Sequence, residues 1–343
     1  MKTTRVIALL LTLIMTAGCI AAHGAETVYN LKIDYPNPEN SAIYPVLVKW
    51  AEHLEEKSNG RIKARIYAAG ALGSIVDCVT NCESGVTDGF WSAMNIYPGI
   101  WPLCDVFMLP MLGSNKMEVQ IAAMQDMLKE KDFAAEWTNL KLVAMHSSTP
   151  STFIFADSVD SIRAMQGKTV RTLSNYTTPW LEALGAIPVS VSSNDGYENI
   201  QKGVIQGGLW YLDQIQSSAL YEVIKTCVYG ETAWPCLFLA LNKGLYEGMP
   251  EDLRKIVDES REYYLSLLPE AYYSQEALVI DLLNQAKVPL IRTSDADLAW
   301  LASQADKAYN AYIERVNGLG HDGKAVIDTL KGFIEKHNKE YPK

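Results

Sequence analysis

The sequence lacks the common motifs of catalysis. It contains no HExxH pair, no GxSxG elbow and no glycine-rich phosphate-binding loop placed between a strand and a helix. The chain has five histidines in 343 residues, and beyond residue 25 none stands at ligand spacing from a cysteine. No nucleophile is accompanied by a base. We therefore predict a protein that is not an enzyme and that needs neither a cofactor nor a metal.

Blocks of positive charge are also missing. The chain has 30 lysines and arginines against 40 aspartates and glutamates, so its net charge is −10. Nucleic-acid binding requires basic runs or patches, and we predict no nucleic-acid partner. A charged fraction of 20% and a hydrophobic fraction of 48% are typical of a globular protein, and the length allows two domains. An anionic ligand is still compatible with this acidity, because a buried arginine acts locally.

No apolar run is long enough to span a membrane comfortably. The longest, residues 6–17, follows Lys2 and Arg5 in the manner of an export signal. Cleavage near Ala25 would release a periplasmic protein, with residues 1–25 as the signal peptide. Alternatively, the four residues ending at Cys19 resemble a bacterial lipobox, which would leave a lipid anchor on that cysteine. Thr16 stands where such boxes usually have leucine, which favours simple cleavage.

Cysteine is scarce but compatible with disulfides after export. Five cysteines remain beyond the signal, so at least one should stay free. Cys227 and Cys236 bracket a short excursion and could close a small loop. Cys78 and Cys82 lie one helical turn apart, and either could pair with Cys104. The spacing leaves the pairing open.

Strands and helices alternate along the chain in the pattern of an α/β protein with two lobes. The alternation pauses in the polar stretch 147–151, which we take as the first crossing between lobes, and restarts near Ser161. The apolar strand 237–242 is expected to return to the first lobe. A long helix should begin near Pro250 and be kinked or split by Pro269. The predicted lobes are I, residues 26–148 plus 237–276, and II, residues 149–236 plus 277–343.

One arginine stands out by its position. Arg171 ends a short predicted strand and precedes a helix that begins near Thr178. Open α/β sheets bind ligands at the carboxyl ends of their strands, and a guanidinium there is a permanently charged fork for a carboxylate. The alternative is a surface arginine whose stem covers apolar neighbours.

Aromatic residues are plentiful at predicted strand ends and loops, and the chain has eight tryptophans. Each one alone is more often part of a core, but their common placement predicts an aromatic-lined pocket. His146 ends a strand at the lobe crossing, where a structural role is favoured over ligand contact. The ligand-binding residues that we predict are Tyr35, Trp91, Ser92, Ser151, Arg171, Tyr176, Asn194, Trp210, Tyr211 and Trp234.

Several short patterns together resemble a known family. The motif ending at Arg171 is followed by Leu184-Gly-Ala-Ile-Pro188, then Tyr197, then Gly203-Val-Ile-Gln-Gly207. This order is similar to that of the solute receptors of tripartite ATP-independent periplasmic (TRAP) transporters, of the dicarboxylate-receptor (DctP) type. Further patterns that fit the same family are Tyr97-Pro98-Gly99, Leu109-Pro110, Asn242 and Met249-Pro250.

The resemblance implies a two-lobed, type II-like periplasmic binding protein. Strands cross between the lobes, a long helix runs across the back, and the ligand lies in the cleft between them. It implies that Arg171 forms a salt bridge with the carboxylate of an organic acid. It also implies that the lobes close over this ligand and deliver it to the integral-membrane subunits of a TRAP permease. We predict that the protein is a monomer.

Three departures from the family pattern bear on the ligand. Gln206 stands where many members have aspartate, Ser151 where sialic-acid receptors have a second arginine, and Trp210 where they have asparagine. Lost polar groups and gained indole rings predict a monocarboxylate with an aromatic or apolar body. The alternatives are a binding protein that reports to a signalling partner and, less favoured, an exported hydrolase or lyase.

Overall fold

Two β-sheets form the framework of the protein. The computed structural model describes residues 27–230 and 232–341, so the predicted signal peptide and the anchor at Cys19 lie outside the described residues. The strands in the described part of the chain are β1 (Tyr29–Asp34), β2 (Ile62–Tyr67), β3 (Gly89–Ala93), β4 (Leu140–His146), β5 (Ser151–Phe155), β6 (Thr169–Arg171), β7 (Ile187–Val189), β8 (Gly207–Tyr211), β9 (Thr226–Tyr229), β10 (Leu237–Asn242) and β11 (Leu290–Arg292).

Helices cover both sheets. Those described are α1 (Tyr44–Lys57), α2 (Cys78–Glu83), α3 (Met117–Met127), α4 (Lys131–Ala135), α5 (Thr177–Ala183), α6 (Gly196–Gln201), α7 (Leu212–Ser217), α8 (Lys243–Glu247), α9 (Glu251–Gln285), α10 (Asp295–Ala302), α11 (Asp306–Asn317) and α12 (Gly323–Glu340). The single helix predicted over residues 296–316 is therefore two, because the chain turns between α10 and α11.

The strand order confirms the two-lobed fold with crossing strands. The first sheet runs β2-β1-β3-β10-β4 and the second runs β11-β9-β5-β8-β6-β7. β10 lies between β3 and β4 and is antiparallel to both, so the chain returns to the first lobe after building most of the second. The passage from β4 to β5 is the first crossing. Both crossings lie side by side, since the Ser147 hydroxyl donates to the Pro235 carbonyl at 2.8 Å.

The long helix α9 spans both lobes. Its first half packs against α1, where the Trp50 indole donates to the Ser260 hydroxyl at 2.9 Å, and its second half packs against α7. Pro269 lies inside this helix without splitting it. The packing of Leu268 and Tyr272 on either side of the proline, both buried, holds the two halves in one element.

The C-terminal helices divide between the lobes. α11 packs against α5 of the second lobe, whereas α12 packs against α3 of the first. Lys336 and His337 of α12 both reach the Asp126 carboxylate, at 2.8 and 2.9 Å. The predicted boundary placed all of residues 277–343 in lobe II; within this range α12 packs against both α3 and α11.

The expected disulfides are not formed. Within the described residues, Cys78, Cys82, Cys104, Cys227 and Cys236 are all buried free thiols. Cys227 pairs with Leu290 of β11 and Ile154 of β5 inside the second sheet, and Cys236 lies next to β10 of the first sheet. The chain crosses from one lobe to the other between these two cysteines. They are therefore close in sequence but belong to different lobes.

We expect Pro269→Ala to stabilise the protein, because a proline inside a helix removes one backbone hydrogen bond and crowds the preceding turn. The free energy of unfolding should rise by roughly 1–3 kcal/mol, measured by urea denaturation. The nearby exposed Glu270→Ala is the control and should change little. A loss of stability in Pro269→Ala would show that the ring makes packing contacts worth more than the missing bond.

Candidate functional site

A cavity of about 770 Å³ lies between the two sheets. The first sheet contributes Trp91 and Ala93 of β3 and Leu237 beside them, and the second contributes Arg171 and Tyr211. Loops that follow the strands close the remaining sides. The cavity therefore stands at the carboxyl ends of parallel strands in both lobes, which is where α/β sheets bind ligands.

Arg171 is the last residue of β6, in the interior of the second sheet. β6 pairs with β7 on one side and β8 on the other, both parallel, and Arg171 stands opposite Gly208. A Cβ at Gly208 would come within 2.4 Å of the Arg171 backbone nitrogen, and its φ is +145°. Glycine is therefore required there for β8 to approach the arginine so closely.

Backbone carbonyls and an indole hold the Arg171 guanidinium. Nε donates to the Val191 carbonyl at 2.8 Å and Nη1 to the Leu209 carbonyl at 2.6 Å, while the Trp210 ring centre lies 4.6 Å from Cζ. Among the described residues no carboxylate forms an ion pair with it and no protein atom accepts from Nη2. Burial lowers the pKa of Arg171 to about 10, so the side chain is still charged at neutral pH. A charge buried with partial hydrogen bonding and no counter-ion is complementary to an anionic ligand.

Trp210 supports the arginine from behind. Its side chain is fully buried and is not among the cavity-lining residues. Gly196 makes room for it, since a Cβ there would lie 2.7 Å from the indole ring. Trp210 therefore does not line the cavity as predicted: the Arg171 guanidinium lies over its ring.

The structure brings together six of the ten predicted residues on the cavity wall. They are Tyr35, Trp91, Arg171, Tyr176, Asn194 and Tyr211. Besides Trp210, three others lie elsewhere. The Ser92 hydroxyl bonds Tyr97 at 3.1 Å, Ser151 bonds Thr232 at 2.9 Å, and the Trp234 ring packs directly on Gly113. All three side chains are buried in the protein and none of them lines the cavity.

A buried histidine fixes one aromatic wall. The Trp91 indole donates to His146 Nε2 at 3.2 Å, the Tyr264 hydroxyl lies 3.1 Å from the same atom, and Nδ1 is 2.9 Å from the Ser147 carbonyl. Nδ1 must then carry the proton, and Nε2 accepts. Complete burial lowers the pKa of His146 to about 4, so the ring is neutral. His146 has the predicted structural role, and it orients Trp91 rather than facing the cavity.

Two contacts join the lobes across the cleft. The Asn95 amide of the first lobe donates to the Leu173 carbonyl of the second at 3.1 Å. The Tyr176 hydroxyl of the second lobe donates to Asp105 of the first at 2.9 Å. Burial raises the pKa of Asp105 to about 7. These bonds lie on the cavity wall, so they hold the lobes together beside the binding space.

Sequence reasoning missed several wall residues. Asp213 follows Tyr211 by two positions at the end of β8, and the same strand-end rule that selected Tyr211 could have found it. Tyr272 comes from the middle of α9, and Arg315 from α11. No local pattern distinguishes these two from other residues on amphipathic helices, since only the packing of the lobes brings them to the cavity.

Other kinds of site were sought in residues 27–230 and 232–341. In this part of the chain no group of three or more histidine, cysteine, aspartate or glutamate side chains could hold a metal ion. No helix there combines the length and apolar character needed to cross a bilayer.

The model of a known protein family matches most of the chain. Residues 34–315 match the model of the DctP family, described as bacterial extracellular solute-binding protein, family 7. A curated relative is the ectoine-binding periplasmic protein TeaA of Halomonas elongata, 21% identical over 297 residues, which span 84% of this chain and 85% of that protein.

Solved structures agree with the family match. A marine metagenome TRAP solute-binding protein, specific for aromatic acid ligands and solved with 3-hydroxybenzoate, superposes with a TM-score of 0.83 at 25% identity, over 90% of this chain and 99% of that one. A TRAP solute-binding protein of Rhodoferax ferrireducens, solved with copurified benzoate, gives 0.83 at 23% identity over 91% and 99%.

We expect His146→Gln to lower stability at pH 7 by about 1–3 kcal/mol, because it disturbs the acceptor of Trp91 and Tyr264. The folded-state pKa of His146 lies below its unfolded value, so its contribution is complete above pH 6.5 and is lost as pH falls towards 4. The wild-type advantage over His146→Gln should therefore shrink across that window. Urea unfolding of both proteins at several pH values measures it. A pH-independent difference would contradict a neutral buried ring.

Proposed function

The chain belongs to family 7 of the bacterial extracellular solute-binding proteins and is a solute receptor of the TRAP type, and from this premise we propose that its ligand is a monocarboxylate with an aromatic body. The carboxylate of the ligand would bind the Arg171 guanidinium, and the ring of the ligand would lie between the aromatic side chains of the cavity wall. The receptor would close its lobes over the acid and release it to a membrane permease.

One observation carries this proposal: a buried arginine without a counter-ion faces the cavity between the two sheets. Two of its nitrogens are held by backbone carbonyls, and the described residues provide no acceptor for the third. A carboxylate that enters would form charge-assisted hydrogen bonds with it in a space from which water is excluded, where such pairs are strong.

The cavity wall favours an aromatic body over a small polar one. Trp91 and Tyr35 meet edge to face with ring centres 5.2 Å apart, and Tyr211 and Tyr272 line the same space. A flat aromatic ring on the ligand would pack against these side chains and make favourable aromatic contacts with them. The solved relative at 25% identity that is described as specific for aromatic acids supports the same class.

A second positively charged residue on the cavity wall, Arg315, does not change the assignment of Arg171 as the residue that binds the ligand carboxylate. Arg315 lies against Gly99 and attracts the Asp105 carboxylate, which lowers the pKa of that carboxyl against the larger effect of burial. The positive charge of Arg315 therefore has a carboxylate partner within the protein. Arg171 has no such partner in the described chain, so a single ligand carboxylate is sufficient.

The cellular setting follows from the family and the N-terminus. We propose export to the periplasm with cleavage near Ala25, a monomeric receptor, and TRAP permease subunits as its membrane partner. Lipidation at Cys19 is the other processing route considered, and mass spectrometry of the mature N-terminus separates them. The proposed role is capture and delivery rather than catalysis.

Arg171→Ala should leave the fold intact and weaken binding of an aryl acid by about 2–5 kcal/mol, the range for removing one member of a desolvated charge pair. Isothermal titration calorimetry against a library of aryl acids, indole acids and C4-dicarboxylates measures both affinity and ligand class. The matched control is the exposed Arg261→Ala on α9.

Two outcomes would count against the proposal. Unchanged affinity in Arg171→Ala would show that the anchor is elsewhere. Tight binding of a C4-dicarboxylate with no response to aryl or indole acids would confirm an acid receptor but reject the aromatic class.

A further inference from the structure

A carboxylate faces the same cavity as Arg171. Asp213 lies in the first turn of α7, two residues beyond β8, and it lines the cavity together with Tyr211 and Tyr272. It is half-buried, and the part of its surface that stays open faces the cavity. The proposed function assigns no role to this group.

Asp213 has no side-chain partner. In the described part of the chain no lysine, arginine or histidine forms an ion pair with it, and no other side chain donates a hydrogen bond to it. Its carboxylate is supported by the backbone N–H groups of Asp213 itself and Gln214. Arg171 and Arg315 both line the cavity, yet neither is within ion-pair distance of Asp213. An acceptor with spare capacity is thus left open to the binding space.

The surroundings of Asp213 make an unpaired charge unfavourable. The rings of Tyr35, Tyr211 and Tyr272 are close enough to interact with it electrostatically. Burial raises the pKa of Asp213 to about 6, against the opposing effect of the two backbone donors. A buried carboxylate without a full set of donors costs stability, and a ligand that supplies a donor removes that cost.

The charges on the wall specify what the ligand should carry. Asp105 and Arg315 attract each other at one side of the cavity, which leaves Arg171 and Asp213 as opposite charges without protein partners. A carboxylate on the ligand satisfies Arg171 alone. Asp213 then needs a hydrogen-bond donor on a different part of the same molecule, and a second carboxylate near it would be repelled.

We propose that Asp213 is a specificity-determining residue that accepts a hydrogen bond from a hydroxyl or protonated amine on the ligand, away from the carboxylate that Arg171 binds. This inference rests on the proposed function, since it needs an acid anchored at Arg171. It narrows the ligand to a hydroxy- or amino-substituted acid and gives a reason for rejecting dicarboxylates.

The ligands of one solved relative belong to this class. The metagenome TRAP protein at 25% identity was solved with 3-hydroxybenzoate, and a surface mutant of it with metahydroxyphenylacetate. Both molecules carry a hydroxyl group on the ring, away from the acid group. They are therefore suitable as probes, together with analogues that lack the donor.

The test is calorimetry with four probes: benzoate, 3-hydroxybenzoate, 3-(aminomethyl)benzoate and the dicarboxylate isophthalate. The wild type should bind at least one donor-bearing acid about tenfold or more tightly than benzoate, and isophthalate more weakly than benzoate. Whichever of the two donor-bearing acids binds more tightly shows whether the preferred donor is a hydroxyl or an ammonium group.

Asp213→Ala should bring the affinity ratio between the preferred acid and benzoate close to one. Asp213→Asn keeps the size of the side chain, and it should reduce the discrimination against isophthalate. The exposed Asp281→Asn on α9 is the matched control and should bind like the wild type. A readout independent of ligand is the thermal midpoint of the free protein at pH 8, which Asp213→Asn should raise by removing the buried charge.

The outcomes separate this inference from the proposed function. If the probes bind through Arg171 but the donor preference is absent, or persists unchanged in both Asp213 variants, the inference is wrong and the receptor assignment stands. If the wild type binds none of the four probes, both the inference and the aromatic class are overturned. If Asp213→Ala fails to fold, the discrimination against isophthalate decides the outcome: Asp213→Asn should reduce it, and unchanged discrimination would overturn the inference.

Discussion

The account depends on one buried positive charge that has no counter-ion in the described chain and stands on the wall of the cavity between the lobes. Taking a guanidinium out of water is unfavourable, and here two backbone carbonyls and the face of Trp210 offset only part of that cost. The close approach of β8 at Gly208 makes this geometry attainable. In the proposed function, this incompletely satisfied charge gives the folded protein an affinity for an anion at one defined position. The aromatic side chains of the cavity wall would then decide which anion is accepted.

The architecture places that charge where a motion can enclose it. Two crossings, β4 to β5 and the return into β10, connect the lobes side by side, and α9 packs on both. Asn95 and Asp105 of one lobe bond Leu173 and Tyr176 of the other next to the cavity. In the proposed function, closure would seal the space around Arg171, and the lower local dielectric would strengthen its attraction for a carboxylate.

Much of the fold could be read from the sequence because it rests on local patterns. The alternation of strands and helices, the return of residues 237–242 and the strand ending at Arg171 each have a short-range signal, and family patterns reinforced them. Side-chain direction was harder. Trp210 and Tyr211 are neighbours on β8, yet one is packed behind the sheet and the other faces the cavity, since adjacent residues of a strand point to opposite sides. Tyr272 reaches the cavity only through the packing of α9, and Cys227 and Cys236 are near in sequence but belong to different sheets.

The central claim is that Arg171 receives the carboxylate of the ligand inside the cleft. A crystal structure of the protein with a bound aryl acid tests it most directly. We predict carboxylate oxygens about 2.7–2.9 Å from the Arg171 guanidinium nitrogens, with the ring between the walls formed by Trp91 and Tyr211. A ligand whose carboxylate lies away from Arg171, with that guanidinium still bonded to the Val191 and Leu209 carbonyls alone, would contradict the account.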